Sequence, residues 1–218
     1  MMRAFKWRRI ANVALGALML WVLVGWIAVQ GTDTLSYRAV QTLDGFEVRE
    51  YDDMVVAQTS ISALTGVAFD AGTARLSAYL RGDNTIQESV AMKRPSGIQP
   101  GPTSMRITPF APLMVQSRGE SLFLAAVTPI AYTIVTLPRP NNPEVRILIL
   151  PKSTRAVRGW HGGYTPERAQ REEATLRELL ASDKRVIVSS ASVITYGPSW
   201  APPFLRRTEV TIPVRAQR

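Results

Sequence analysis

The chain of 218 residues has no cysteine and a single histidine, His161. Without cysteine there can be no disulfide, thiolate-ligated haem, iron–sulfur cluster, cysteine nucleophile or lipid-acylated cysteine. One imidazole is too few for an ordinary zinc site. A nucleotide-binding glycine loop, a dinucleotide glycine pattern, a nucleophile–base pair and metal-ligand spacing are also missing, so nothing in the sequence points to an enzyme. Acidic residues are in the minority, 17 against 26 Lys and Arg, for a net charge of +9. Four of those cations (Arg3, Lys6, Arg8, Arg9) lie in the first nine residues, leaving +5 over the remainder. The rest are scattered, with doublets only at Lys93-Arg94, Lys184-Arg185 and Arg206-Arg207. That distribution reads as a mildly basic domain that does not bind nucleic acid.

Charge is absent altogether from Ile10 to Thr32. At 1.5 Å per residue this apolar run is long enough to cross a hydrocarbon layer of about 30 Å. Trp7, Trp21 and Trp26 supply interfacial anchors, and the basic tail places the N-terminus on the cytoplasmic side. Residues 1–9 thus read as a cytoplasmic tail, 10–32 as a transmembrane signal-anchor helix in contact with lipid, and 33–218 as a domain on the periplasmic side of an inner membrane. A cleaved signal peptide is the competing reading, with Val29-Gln30-Gly31 as a poor cleavage site.

The remainder alternates strand and helix patterns. Phe46 and Val48 alternate with Glu47 and Arg49 as in a half-buried strand, and Asp44-Gly45 makes Tyr37–Leu43 its hairpin partner. Met54–Ile61 continues as a strand. Phe69, Gly72, Leu76 and Tyr79-Leu80 recur at helical spacing over Val67–Leu80, ended by Gly82-Asp83-Asn84. Ser89–Met92 reads as a strand, Pro95–Pro112 as a long loop and Ser121–Leu137 as extended chain broken at Pro129. Val145–Leu150 and Thr154–Trp160 follow as strands. Thr165 then caps a helix that has Pro166 at its first position and runs to Ser182. Val186–Tyr196 and Thr208–Val214 close the domain. The expected class is α+β: a distorted antiparallel β-barrel of two similar strand–strand–helix–strand halves with two flanking helices, after one transmembrane helix.

Several of these segments resemble one family. Phe46–Thr59 (FEVREYDDMVVAQT), Ser77–Asn84 (SAYLRGDN), Leu137–Val145 (LPRPNNPEV), Ala156–Gly163 (AVRGWHGG) and Tyr196–Ile212 (YGPSWAPPFLRRTEVTI) are similar, in this order, to motifs of the SOUL haem-binding proteins. The resemblance spans Tyr37 to Val214. It implies a two-halved barrel, like the small-molecule-binding domains of some drug-responsive regulators, and binding of haem or a related tetrapyrrole between the first domain helix and the sheet. The sequence departs from the family at Met92-Lys93-Arg94-Pro95-Ser96 and at Thr128-Pro129.

The site expected on this basis has Leu76, Tyr79, Leu80 and Met92 lining an apolar slot, with Arg75, Lys93 and Arg94 as partners for propionates. His161 is either an axial ligand or an exposed turn residue before its glycine pair. The charged residues of the two bracketing motifs, Glu47, Arg49 and Glu50 with Arg206, Arg207 and Glu209, are expected to form ion pairs that set strand register. The function implied is membrane-anchored binding of haem for sequestration or transfer. Another apolar small molecule, or a structural envelope role, are the alternatives, and hydrolase or dechelatase chemistry is a further one.

Overall fold

The computed structural model describes residues 2–32, 34–62, 66–86, 103–108, 111–119 and 121–216, with side chains from residue 12 onward. In chain order the elements are α1 (Met2–Gln30), β1 (Tyr37–Leu43), β2 (Phe46–Tyr51), β3 (Met54–Ile61), α2 (Gly66–Arg81), β4 (Asn84–Thr85), β5 (Leu113–Arg118) and β6 (Ser121–Val127). They continue with β7 (Arg139–Pro140), β8 (Arg146–Leu150), β9 (Ser153–His161), α3 (Pro166–Ser182), β10 (Val186–Ile187), β11 (Ser192–Tyr196) and β12 (Arg207–Arg215).

The main sheet runs β1-β2-β9-β12-β11-β5-β6-β3-β8, with β10 on β12, and its pairs are antiparallel. From β2 to β8 this order is symmetric about the β11–β5 pair. Each half is strand–strand–helix–strand–strand, one more strand than the sequence pattern suggested, and the first strand of each half lies in the other's sheet. Thus β2 pairs β9 and β8 pairs β3. The added strand in the first half is β5, which follows Pro112 directly and was not separable from the loop by pattern. The expected Ser89–Met92 strand lies outside the described residues.

Alternation along the strands sorts side chains onto two faces. One carries α2 and α3. Leu76, Tyr79 and Leu80 of α2 pack with Ile61, Leu122 and Leu124, while Leu176 and Leu180 of α3 pack with Val48, Val210 and Ile212. Thr165 caps α3 as expected, its hydroxyl accepting from Arg168 N at 3.3 Å. The other face curls inward as a half-barrel, bringing Tyr51, Val56, Met114, Ile194 and Tyr196 into one cluster.

The bracketing motifs meet on that inward face. Arg49 donates to Glu209 Oε1 and to Glu47 Oε2, at 2.9 and 2.8 Å. Glu209 also accepts from Arg207 at 2.5 Å and from the Tyr196 hydroxyl at 3.0 Å. Arg49 and Glu209 are 3% and 1% exposed. Burial works against the Arg49 charge, but Tyr51 and Glu209 outweigh it and raise the pKa. The pair bridges β2 to β12 across β9, where Gly159 stands opposite Glu209.

Three outcomes follow. Glu209→Ala removes the buried partner of Arg49 and leaves it only the half-exposed Glu47, which lowers unfolding free energy by about 3 kcal/mol in denaturant titrations, much of it recovered in an Arg49→Met, Glu209→Leu double variant. Gly72 of α2 faces the sheet, and a Cβ there would fall 2.6 Å from Leu124 Cδ1 and 3.1 Å from Ile61 Cγ2. Gly72→Val therefore costs about 1–3 kcal/mol despite the gain in backbone rigidity. Finally, burial raises the pKa of Tyr51, Tyr79, Tyr164 and Tyr196 above the ordinary phenol value of 10.0. A raised folded-state pKa gives stability that is full below the unfolded value and is lost as pH rises through the folded one. Phenolate absorbance and near-ultraviolet dichroism followed together above pH 10.0 should show these four rings ionising only as the fold is lost.

Candidate functional site

The helices cover the strands on either side of the sheet's centre: α2 sits over β3 and β6, α3 over β9 and β12. The central strands β5 and β11 are left between them. Across this gap Thr208, Thr195, Leu113 and Ala126 are successive register partners on β12, β11, β5 and β6, forming a floor of small and medium side chains. Above it lies a cleft of about 500 Å³, within the usual range for ligand pockets.

Leu76 and Leu80 of α2 form one wall. Phe69 of α2 and Tyr164, just before α3, stack with centroids 5.8 Å apart and planes at 8°, an aromatic bridge from one half to the other. The segment Tyr196–Trp200 makes the rim, and Asp70, Ser77 and Arg81 supply polar edges. Arg206 enters from the end of this rim. Its guanidinium lies against bare backbone at Gly163, where a Cβ would meet Nη2 at 2.7 Å. Its Nε is buried with no hydrogen-bond partner among the described residues. Burial raises the pKa of the Tyr164 phenol, followed by the charge of Glu167, so this ring remains neutral.

The expected site residues fall in several places. Leu76 and Leu80 line the cleft. Tyr79 is turned into the core, its hydroxyl donating to the Pro138 carbonyl at 3.0 Å. Arg75 is paired with Glu144 at 2.9 Å. His161 ends β9, exposed, beside a separate hollow of about 430 Å³ shared with Arg49 and Arg207. Met92, Lys93 and Arg94 lie outside the described residues. Phe69, Tyr164 and Arg206 were not singled out as cleft residues from sequence. Strand parity carried the signal for Arg206: Arg207 and Glu209 share one face, and their neighbour takes the other.

No group of three or more His, Cys, Asp or Glu side chains suited to a metal ion occurs among the described residues. One described helix segment, Asn12–Gln30, is long and apolar enough to cross a membrane.

Comparison with solved structures places the chain among two-halved domains of this fold. The C-terminal domain of EcmrR is 12% identical with a TM-score of 0.50, over 83% of this chain and 99% of that one. An uncharacterized conserved protein from Listeria innocua is 11% identical with a TM-score of 0.51, over 77% and 92%. A hydrolase from the same organism is 12% identical with a TM-score of 0.47, over 77% and 91%. At these identities the likeness is one of fold. A search of curated proteins gave no match. The family model described as SOUL heme-binding protein matches residues 32–213, and the chain belongs to the SOUL heme-binding protein family.

Proposed function

We propose that this protein is a membrane-anchored binding protein for haem or a related tetrapyrrole, held in the cleft between α2 and the sheet for sequestration or transfer. The observation that carries the reading is Arg206, a guanidinium whose buried Nε has no partner among the described residues, at the edge of a cleft with aromatic and aliphatic walls and polar edges. A buried donor without an acceptor is costly, and a ligand carboxylate would satisfy it through charge-assisted hydrogen bonds. Leu76, Leu80, Phe69 and Tyr164 would contact the ring faces and edges. Haem would supply a redox-active iron and anionic propionates. The described lining residues include no His or Met, which favours retention by packing and propionate contacts. Placement of 1–9 in the cytoplasm, 10–32 in the membrane and 33–218 on the periplasmic side is supported by the charge asymmetry around the apolar helix. Binding without catalysis is supported by the family.

Haemin added to the full-length protein in detergent should give a saturable Soret shift near one equivalent. Arg206→Ala should weaken binding by about tenfold to a hundredfold, the worth of a charged hydrogen bond. His161→Ala should leave the spectrum unchanged. A shift that never saturates, or identical affinity in Arg206→Ala, removes the haem reading or the role of Arg206 respectively.

A further inference from the structure

The apolar helix does not stand clear of the domain. Trp21 Nε1 donates to the Trp200 carbonyl at 3.0 Å. The Gly25 backbone meets the Pro202 ring, where a Cβ would fall 2.4 Å from Cδ, and Val29 Cγ2 lies 3.0 Å from a Cβ placed on Gly197. Trp21, Gly25 and Val29 are four residues apart. They mark one face of α1 over about 12 Å of its axis. The loop from Gly197 meets them in reverse, at Val29 first and at Trp21 by Trp200, then returns past Gly25 at Pro202. It runs down the helix toward the N-terminus and turns back.

This arrangement fixes the depth of the loop if α1 spans a bilayer. From Ile10 to Trp21 there are 12 uncharged residues. Their length, about 18 Å, falls well short of a hydrocarbon layer of about 30 Å. Sliding the span toward the N-terminus brings Arg9, Arg8, Lys6 and Arg3 into it, and a charged side chain is costly at the bilayer centre. The turns after Trp21 must therefore lie inside the membrane, and so must the loop tip docked against them.

The loop is built for that environment. Trp200 and Phe204 are 45% and 61% exposed. Pro198, Pro202 and Pro203 carry no N–H. Ala201 N, Leu205 N and Arg206 N bond within the loop to Pro198, Pro202 and Pro203 carbonyls. Few backbone donors are thus left for a medium that cannot satisfy them. Gly197–Trp200 is also part of the cleft rim.

We infer that the Pro198–Leu205 loop is a membrane-embedded wedge, docked on the outer turns of α1, which sets the mouth of the cleft at the bilayer surface. An amphiphilic ligand then passes between cleft and lipid without crossing bulk water. This rests on the anchor reading of α1 proposed above.

The cysteine-free sequence permits single-site labelling of the full chain. Leu18→Cys, Ser199→Cys, Phe204→Cys and Val67→Cys would each carry an environment-sensitive nitrobenzoxadiazole dye, in phosphatidylcholine vesicles with or without spin-labelled lipid. Blue-shifted, lipid-quenched emission at Leu18 and at both loop positions, with neither effect at Val67, is the expected result. Quenching at Leu18 but at neither loop position overturns the wedge and leaves the anchor intact. No quenching at Leu18 overturns the anchor reading and the wedge with it. Val67 quenched as strongly as Phe204 also overturns the wedge, since the whole domain would then lie on the lipid.

Discussion

The buried ion pair between Arg49 and Glu209 is the constraint on which the sheet depends. β2 belongs by sequence to the first half of the domain but lies in the sheet of the second, separated from β12 by β9. A strand donated across halves needs a register that cannot slip, because a one-residue shift would turn every side chain to the other face. Two buried opposite charges supply it, since any other register would strand each of them in the core. Gly159 leaves space between the two strands they join, and Tyr196 adds its hydroxyl from β11. Three strands of the inward face are tied at one point.

The cleft on the opposite face is a consequence of the same symmetry. Each half brings one helix, and each helix packs on strands to one side of the sheet's centre. The central pair, β11 and β5, is where the halves meet and where neither helix lies. Close packing elsewhere makes the gap usable: Gly72 lets α2 sit down on Leu124 and Ile61, so the helix is held firmly along one side of the cleft. The Phe69–Tyr164 stack spans the halves, and Arg206 is pressed against Gly163 at the edge. The resulting pocket combines aromatic and aliphatic walls with polar edges and an arginine Nε that has no partner among the described residues.

Much of the fold was legible because its signals are local. Phe46 and Val48 alternate with charged neighbours; Thr165-Pro166 starts a helix whatever surrounds it; the Asp44-Gly45 turn makes a hairpin. β5 was hidden because Leu113–Arg118 is six residues against a proline-rich stretch, too short for periodicity to separate from a loop. The site was less legible. Helical spacing placed Leu76, Tyr79 and Leu80 on one face but could not say that Tyr79 finds the Pro138 carbonyl while its neighbours line a cleft. Arg75 looked free in sequence and is held by Glu144, 69 positions away along the chain.

The sequence by itself determined the family, the apolar helix, the α+β class and the charged motifs that pair, because each depends on residue type and short-range order. Only the tertiary structure decided which strands are exchanged between halves, which arginine of the Arg206-Arg207 doublet enters the cleft and which joins Glu209, and where the Gly197–Leu205 loop lies along α1. Those outcomes depend on contacts between segments far apart in the chain. Burial, close approach and the need to satisfy a buried charge are properties of the packed assembly, and no local window of sequence contains them.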